Sequence, residues 1–110
     1  MMEKNIYMSV LLDTYGNMLT RRQYEVIDAH YNRDLSLAEI AEWLGGSRQS
    51  ISDALKKGCT ALIEWERKLG FAARQRDWTT RTELAIKDLD DGKTEDARRK
   101  LRDLIGLMEE

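Results

Sequence analysis

Arg48, Gln49, Ser52, Asp53 and Lys56 recur at the spacing that places side chains on one face of an α-helix. Arginine offers a planar fork of donors to guanine or phosphate, glutamine offers a donor and an acceptor to adenine, and lysine offers a point charge to phosphate. Ser47 precedes this run and can cap its amides. Lys57 and Arg67 extend the basic character further along the chain. The candidate nucleic-acid contacts are therefore Ser47, Arg48, Gln49, Ser52, Lys56, Lys57 and Arg67. Asp53 is the discordant member, a negative charge on a face meant for phosphate.

No comparable set supports catalysis. Gly92-Lys93-Thr94 resembles the end of a phosphate-binding loop, but Lys87 stands where that loop needs glycine and no strand precedes it. His30 is the only histidine and Cys59 the only cysteine, so a zinc site lacks its ligands and no internal disulfide can form. Asp88, Asp90 and Asp91 lack the rest of a calcium loop. No serine or cysteine has a base in a recognisable motif. The expectation is a protein without catalytic residues, metal or cofactor. His30 is read as a packing residue, and Trp43 likewise. Trp78 either stacks on an RNA base or anchors the tail, and the anchor is preferred.

The groove-facing residues need a scaffold, and the segment LSLAEIAEWLGGSRQSISDALKK at 35–57 supplies the pattern of a helix-turn-helix. Leu37, Ile40, Ala41 and Leu44 form the apolar face of a short helix, and Ala41 is small where a second helix must cross. Gly45 falls where the turn needs a positive φ. Gly46 replaces an apolar residue and predicts a looser turn. Ile51, Ala54 and Leu55 give the second helix its inner face.

The rest of the chain reads as helix too. It contains no proline, and its aromatic and β-branched residues never alternate over a strand length. A first helix is expected over 5–18, and a capping box at Thr20 and Gln23 starts a second that runs to about 32. Residues 59–69 form a further helix, continuous with the preceding one or broken at Gly58, and Gly70 ends it. Residues 71–78 read as a basic connector, Thr80 and Glu83 as a capping box, and Thr94 as the cap of a last helix. The expected organisation is a helix-turn-helix domain over 1–70 and a C-terminal helical hairpin over 71–110. That hairpin cannot bury both apolar faces, so it must cover the N-terminal body or a second copy, with a homodimer favoured.

Charge restrains the functional reading. The net charge is −2, where a dedicated nucleic-acid binder is usually basic. Residues 47–76 nevertheless hold seven cations against three carboxylates, a local patch able to engage phosphate. The opening residues turn acidic too early for a signal peptide, and no apolar run reaches the roughly 20 residues of a membrane span. A cytoplasmic protein without membrane insertion is expected.

Several of these residues also carry a resemblance. LLDTYG at 11–16, LT-x-x-Q at 19–23, DLSLAEIAE at 34–42, SRQ at 47–49, Asp53 with Lys56, and WERKL at 65–69 resemble the YlxM-type helix-turn-helix proteins of Gram-positive bacteria. The likeness spans residues 8–70 and departs at Gly46 and at Ser50-Ile51. It implies an all-α helix-turn-helix bundle similar to the region 4 domain of sigma factors, without enzymatic activity. It also implies a link to the signal recognition particle, through the particle's RNA or its targeting GTPase. The expected function is a non-enzymatic regulator or adaptor of that pathway. A DNA-binding transcription regulator is the alternative, and a purely protein-binding module is a third reading.

Overall fold

The structure, a computed structural model, describes residues 3–109. Six α-helices form it: α1 (Lys4–Tyr15), α2 (Arg21–Ile27), α3 (Leu37–Leu44), α4 (Arg48–Leu69), α5 (Phe71–Asp90) and α6 (Thr94–Met108). A 3-10 turn follows α1, and a π turn over Asp28–Asn32 continues α2. No strand occurs among the described residues, so the fold is all-α. None of these helices is long and apolar enough to cross a membrane. The chain divides after Ala72 into an N-terminal and a C-terminal unit.

The N-terminal unit folds around two apolar clusters. On α1, Met8, Leu11, Leu12 and Tyr15 follow the spacing of a single helical stripe and pack with Ile27, Leu62 and Ala72. The second cluster joins Val26, Ala29, Ile40 and Ile51, with Leu35, Leu37, Ala41, Leu44 and Ala54 around them. Helix α2 stands between the two, sending Ile27 into one and Val26 into the other. Leu55 of α4 packs against both. Truncating a fully buried leucine such as Leu62 to alanine costs about 2–5 kcal/mol.

Local signals set the starts of these helices. Thr20 and Gln23 form both halves of a capping box, each bond at 3.1 Å. Gly70 ends α4 in the left-handed conformation, its N–H donating to Glu66 O at 2.8 Å.

The structure decides one open alternative and corrects three expectations. At Gly58 the helix is continuous, because α4 runs unbroken through it. Gly58 is a crossing point: a Cβ there would lie 2.6 Å from Ile27 Cδ1. Residues 71–78 are not a connector, because α5 begins at Phe71 directly after Gly70. Thr80 consequently lies inside α5 rather than at its start. Thr94 does not cap α6, whose N-cap position is Lys93 without a side-chain bond.

In the C-terminal unit, α5 and α6 meet through a tight turn in which Lys93 N donates to Asp88 O at 2.7 Å. Lys100 Nζ on α6 lies 2.5 Å from the buried Asp88 carboxylate on α5.

Candidate nucleic-acid interface

The candidate surface is built on α3, its turn and the first half of α4. Helix α3 starts with a capping box: Glu39 N donates to Ser36 Oγ and Ser36 N to Glu39 Oε1, both at 3.1 Å. The Ser36 amide, with its hydroxyl, holds the exposed Glu39 carboxyl below its ordinary range. The S-x-x-E spacing was present in the sequence as the signal for this box.

Two glycines shape the turn. Gly45 has φ +85° and Gly46 φ +96°, both in the region L side chains avoid. A Cβ on Gly46 would also lie 2.8 Å from Ser50 Oγ and 2.9 Å from Arg22 Nη2. The second glycine therefore fits a confined bend rather than a slack one. Ser47 then caps α4, accepting from Ser50 N at 3.0 Å.

Arg22 reaches this turn from α2. Its Nη2 donates to Gly45 O at 3.2 Å and to Ser50 Oγ at 3.4 Å. Sequence reading missed this residue, since its partner at Gly45 is 23 positions away and no local pattern signals it. Arg22 and Gln23 on one side and Ser50, Asp53 and Lys57 on the other line a shallow groove of about 290 Å³ between α2 and α4.

The predicted contacts divide into a cluster and an outlier. Arg48, Gln49, Lys56 and Lys57 are exposed along the first turns of α4, and Ser52 is half-buried beside them. Ser47 closes the cluster at the helix end, its hydroxyl committed to the cap. Gln49 Nε2 donates to Asp53 Oδ1 at 3.0 Å, so the discordant carboxylate holds the glutamine amide. Arg67 lies ten residues beyond Lys57, about 15 Å along the helix axis. It is clasped by Glu64, with Arg67 Nε 3.0 Å from Oε2, and Lys68 lies 3.9 Å from the same carboxylate. The hydrogen bond from Arg67 lowers the Glu64 carboxyl, and the pair raises Arg67 in return. The far end of α4 therefore presents less free positive charge than its sequence suggests.

The remaining singled-out residues serve packing or surface roles. His30 is half-buried, with Nδ1 3.1 Å from Leu35 O and its ring edge-on to Tyr31. Trp65 packs against the first cluster, tilted against Tyr15 at 6.4 Å. Trp43 departs from its expected packing role: it is exposed, and the Arg33 guanidinium lies 5.4 Å from its ring centroid. Trp78 is half-buried on α5. Among the described residues, no three His, Cys, Asp or Glu side chains are placed to hold a metal ion.

Comparison with known proteins places this sequence in a family. A UPF0122 protein of Clostridium kluyveri is 45% identical over 76 residues, covering 69% of this chain and 68% of the relative. One of Acetivibrio thermocellus is 41% identical over 88 residues, covering 80% and 75%. One of Clostridium novyi is 37% identical over 90 residues, covering 82% and 78%. The sequence pattern of the UPF0122 family, described as "Putative helix-turn-helix protein, YlxM / p13 like", matches residues 2–104, and the chain belongs to that family.

Proposed function

We propose that this chain is a non-enzymatic regulator or adaptor of the signal recognition particle pathway, working in the cytoplasm, and that its helix-turn-helix surface holds structured RNA of that particle. The targeting GTPase is the expected protein partner. The observation that carries the reading is the exposed run of Arg48, Lys56 and Lys57 on α4, beside Arg22 at the turn. These groups suit phosphate, which positions a nucleic acid without reading its bases. Gln49, the residue best suited to read adenine, is bonded to Asp53, and Asp53 itself faces outward. That arrangement favours a backbone grip on a shaped RNA over base reading in a DNA groove.

The DNA-binding regulator is the second reading, favoured by the exposure of Arg48 in the first turn of α4. One titration separates them. Signal recognition particle RNA and a duplex DNA of equal length are each titrated with the protein at about 50 and 200 mM salt. Three phosphate contacts predict a loss of roughly 20- to 40-fold between the two salts. The RNA should bind more tightly, and a variant carrying Arg48→Glu, Lys56→Glu and Lys57→Glu should lose binding while staying folded. Equal or tighter binding of the DNA rejects the RNA reading, and an unaffected variant rejects this face.

A further inference from the structure

The C-terminal unit carries more apolar side chain than it buries. Its buried side chains are Ala85, Asp88, Ala97 and Leu104, two of them alanines and one a carboxylate held by Lys100. Leu84, Ile86, Leu89, Leu101, Ile105 and Met108 stand 38–55% exposed. Two helices alone cannot enclose such a set, and segments this small generally need added support.

The spacing identifies the missing support. Ala97, Leu101, Leu104 and Met108 follow steps of four, three and four, the seam of a helix bundle, and Ile105 flanks them. Trp78, Thr82, Ala85 and Leu89 repeat the same steps on α5. A hairpin with such a seam on both helices is half of a four-helix bundle.

Charge identifies the occupant. Residues 73–109 hold nine cations and nine carboxylates, so a second copy meets no net repulsion and a polyanion gains no net attraction. Along α6 the charges are segregated. Residues 94–102 carry four cations and two carboxylates, whereas 103–109 carry two carboxylates and no cation. Side-by-side parallel pairing would set like halves together. Antiparallel pairing about Leu104 and Ile105 brings Arg98, Arg99, Lys100 and Arg102 of each helix to the end of the other that carries Glu109. Arg98 and Arg99 already form exposed pairs with Glu95 and Asp96, and such exposed pairs exchange partners at little cost.

We infer that the exposed face of the α5–α6 hairpin docks on the same face of a second copy, closing a four-helix bundle about a two-fold axis beside Leu104 and Ile105. In this register Leu101 packs against Met108 of the second copy. The pair carries two α4 surfaces, one from each copy.

Sedimentation equilibrium of the full chain tests this. The expected mass is twice the 12.8 kDa of one chain, and a single-chain mass up to the solubility limit overturns the inference. Leu101→Glu with Ile105→Glu should give the single-chain mass, and a variant that stays dimeric moves the interface elsewhere. Because that variant can unfold the hairpin, a second measurement uses Ile105→Cys in a Cys59→Ser background. Near the two-fold axis, position 105 should crosslink to itself on mild oxidation, whereas Arg98→Cys in the same background should not. Crosslinking at 98 and none at 105 overturns the antiparallel register.

Discussion

The Tyr15 hydroxyl donates to Glu66 Oε1 at 2.5 Å, across 51 residues of sequence. The same carboxylate oxygen accepts from Ala72 N at 3.0 Å, and the tyrosine oxygen accepts from Phe71 N at 3.1 Å. Two side chains from α1 and α4 thus serve the first amides of α5, which follows Gly70, a residue without a side chain. Removing the hydroxyl in Tyr15→Phe takes a donor from Glu66 and an acceptor from the Phe71 amide in a part-buried setting. The expected cost is about 1–3 kcal/mol, read as a lower urea midpoint. Glu66→Gln, which still accepts, should cost less than Glu66→Ala. An unchanged midpoint for Tyr15→Phe, or equal losses for the two Glu66 variants, would disprove this account of the junction.

The same packing makes stability sensitive to alkali. Burial, and then Glu66, raises Tyr15, and burial, followed by Cys59, pushes Tyr31 up to about 12. Burial also pushes the Cys59 thiol up. Each group is protonated at neutral pH in both states, so its stabilising contribution is complete there. As pH rises past the ordinary thiol and phenol values, the unfolded chain ionises first and the folded chain does not, so stability falls. Urea midpoints should therefore hold steady through neutrality and decline above about pH 9, the region of the ordinary thiol and phenol ionisations. Tyr31→Phe should flatten the upper part of that decline. A midpoint as high at pH 11 as at pH 8 would contradict it.

The parts of the fold legible in the sequence are those decided within a few residues. Thr20 with Gln23, Ser47, Gly45 and Gly70 each act on amides or carbonyls three or four positions away. Their types and spacing therefore suffice. The misread parts depend on distant partners. Thr80 and Glu83 have the spacing of a capping box, but α5 had already begun, its first amide served by Tyr15 from 56 residues away. Gly58 reads from sequence as a weak point of its helix, and its close crossing depends on the approach of Ile27 from α2. In the candidate surface the outward face of α4 follows from periodicity. The anchoring of its turn by Arg22 and the clasping of Arg67 by Glu64 depend on which neighbouring donors and acceptors come together in space.

Gly58 and Gly45 give contrasting stability predictions. At Gly58 the backbone is ordinary helix, so Gly58→Ala gains about 1 kcal/mol of helix propensity and loses it to crowding. The crowding atoms are Ile27 Cδ1 at 2.6 Å and Gln23 Cβ at 3.3 Å, and Ile27 is fully buried. Gly58→Leu adds volume that this crossing cannot take and should cost roughly 3 kcal/mol. At Gly45 space is open but φ is +85°, so Gly45→Ala should cost about 1–3 kcal/mol through the backbone alone. Gly45→Leu should cost no more than Gly45→Ala by any packing effect. Urea midpoints of the four variants check this, and a Gly58→Leu protein as stable as Gly58→Ala would remove the close crossing.

Asp53 supplies the most direct test of the surface proposed for nucleic acid. It is exposed, bonds Gln49 and adds a negative charge among Arg48, Lys56 and Lys57. Asp53→Asn keeps the shape and a hydrogen-bonding partner for Gln49 but removes the charge. A phosphate backbone on this face should then bind more tightly, by roughly 3- to 10-fold at low salt, with the gain shrinking as salt screens it. Gln49→Ala should leave that affinity nearly unchanged if the grip is on phosphate, and reduce it if Gln49 leaves Asp53 to read a base. Titration of both variants with the same RNA at low and high salt gives the answer. Weaker binding by Asp53→Asn would show that the carboxylate is itself a contact, and that the face reads bases or protein rather than holding phosphate.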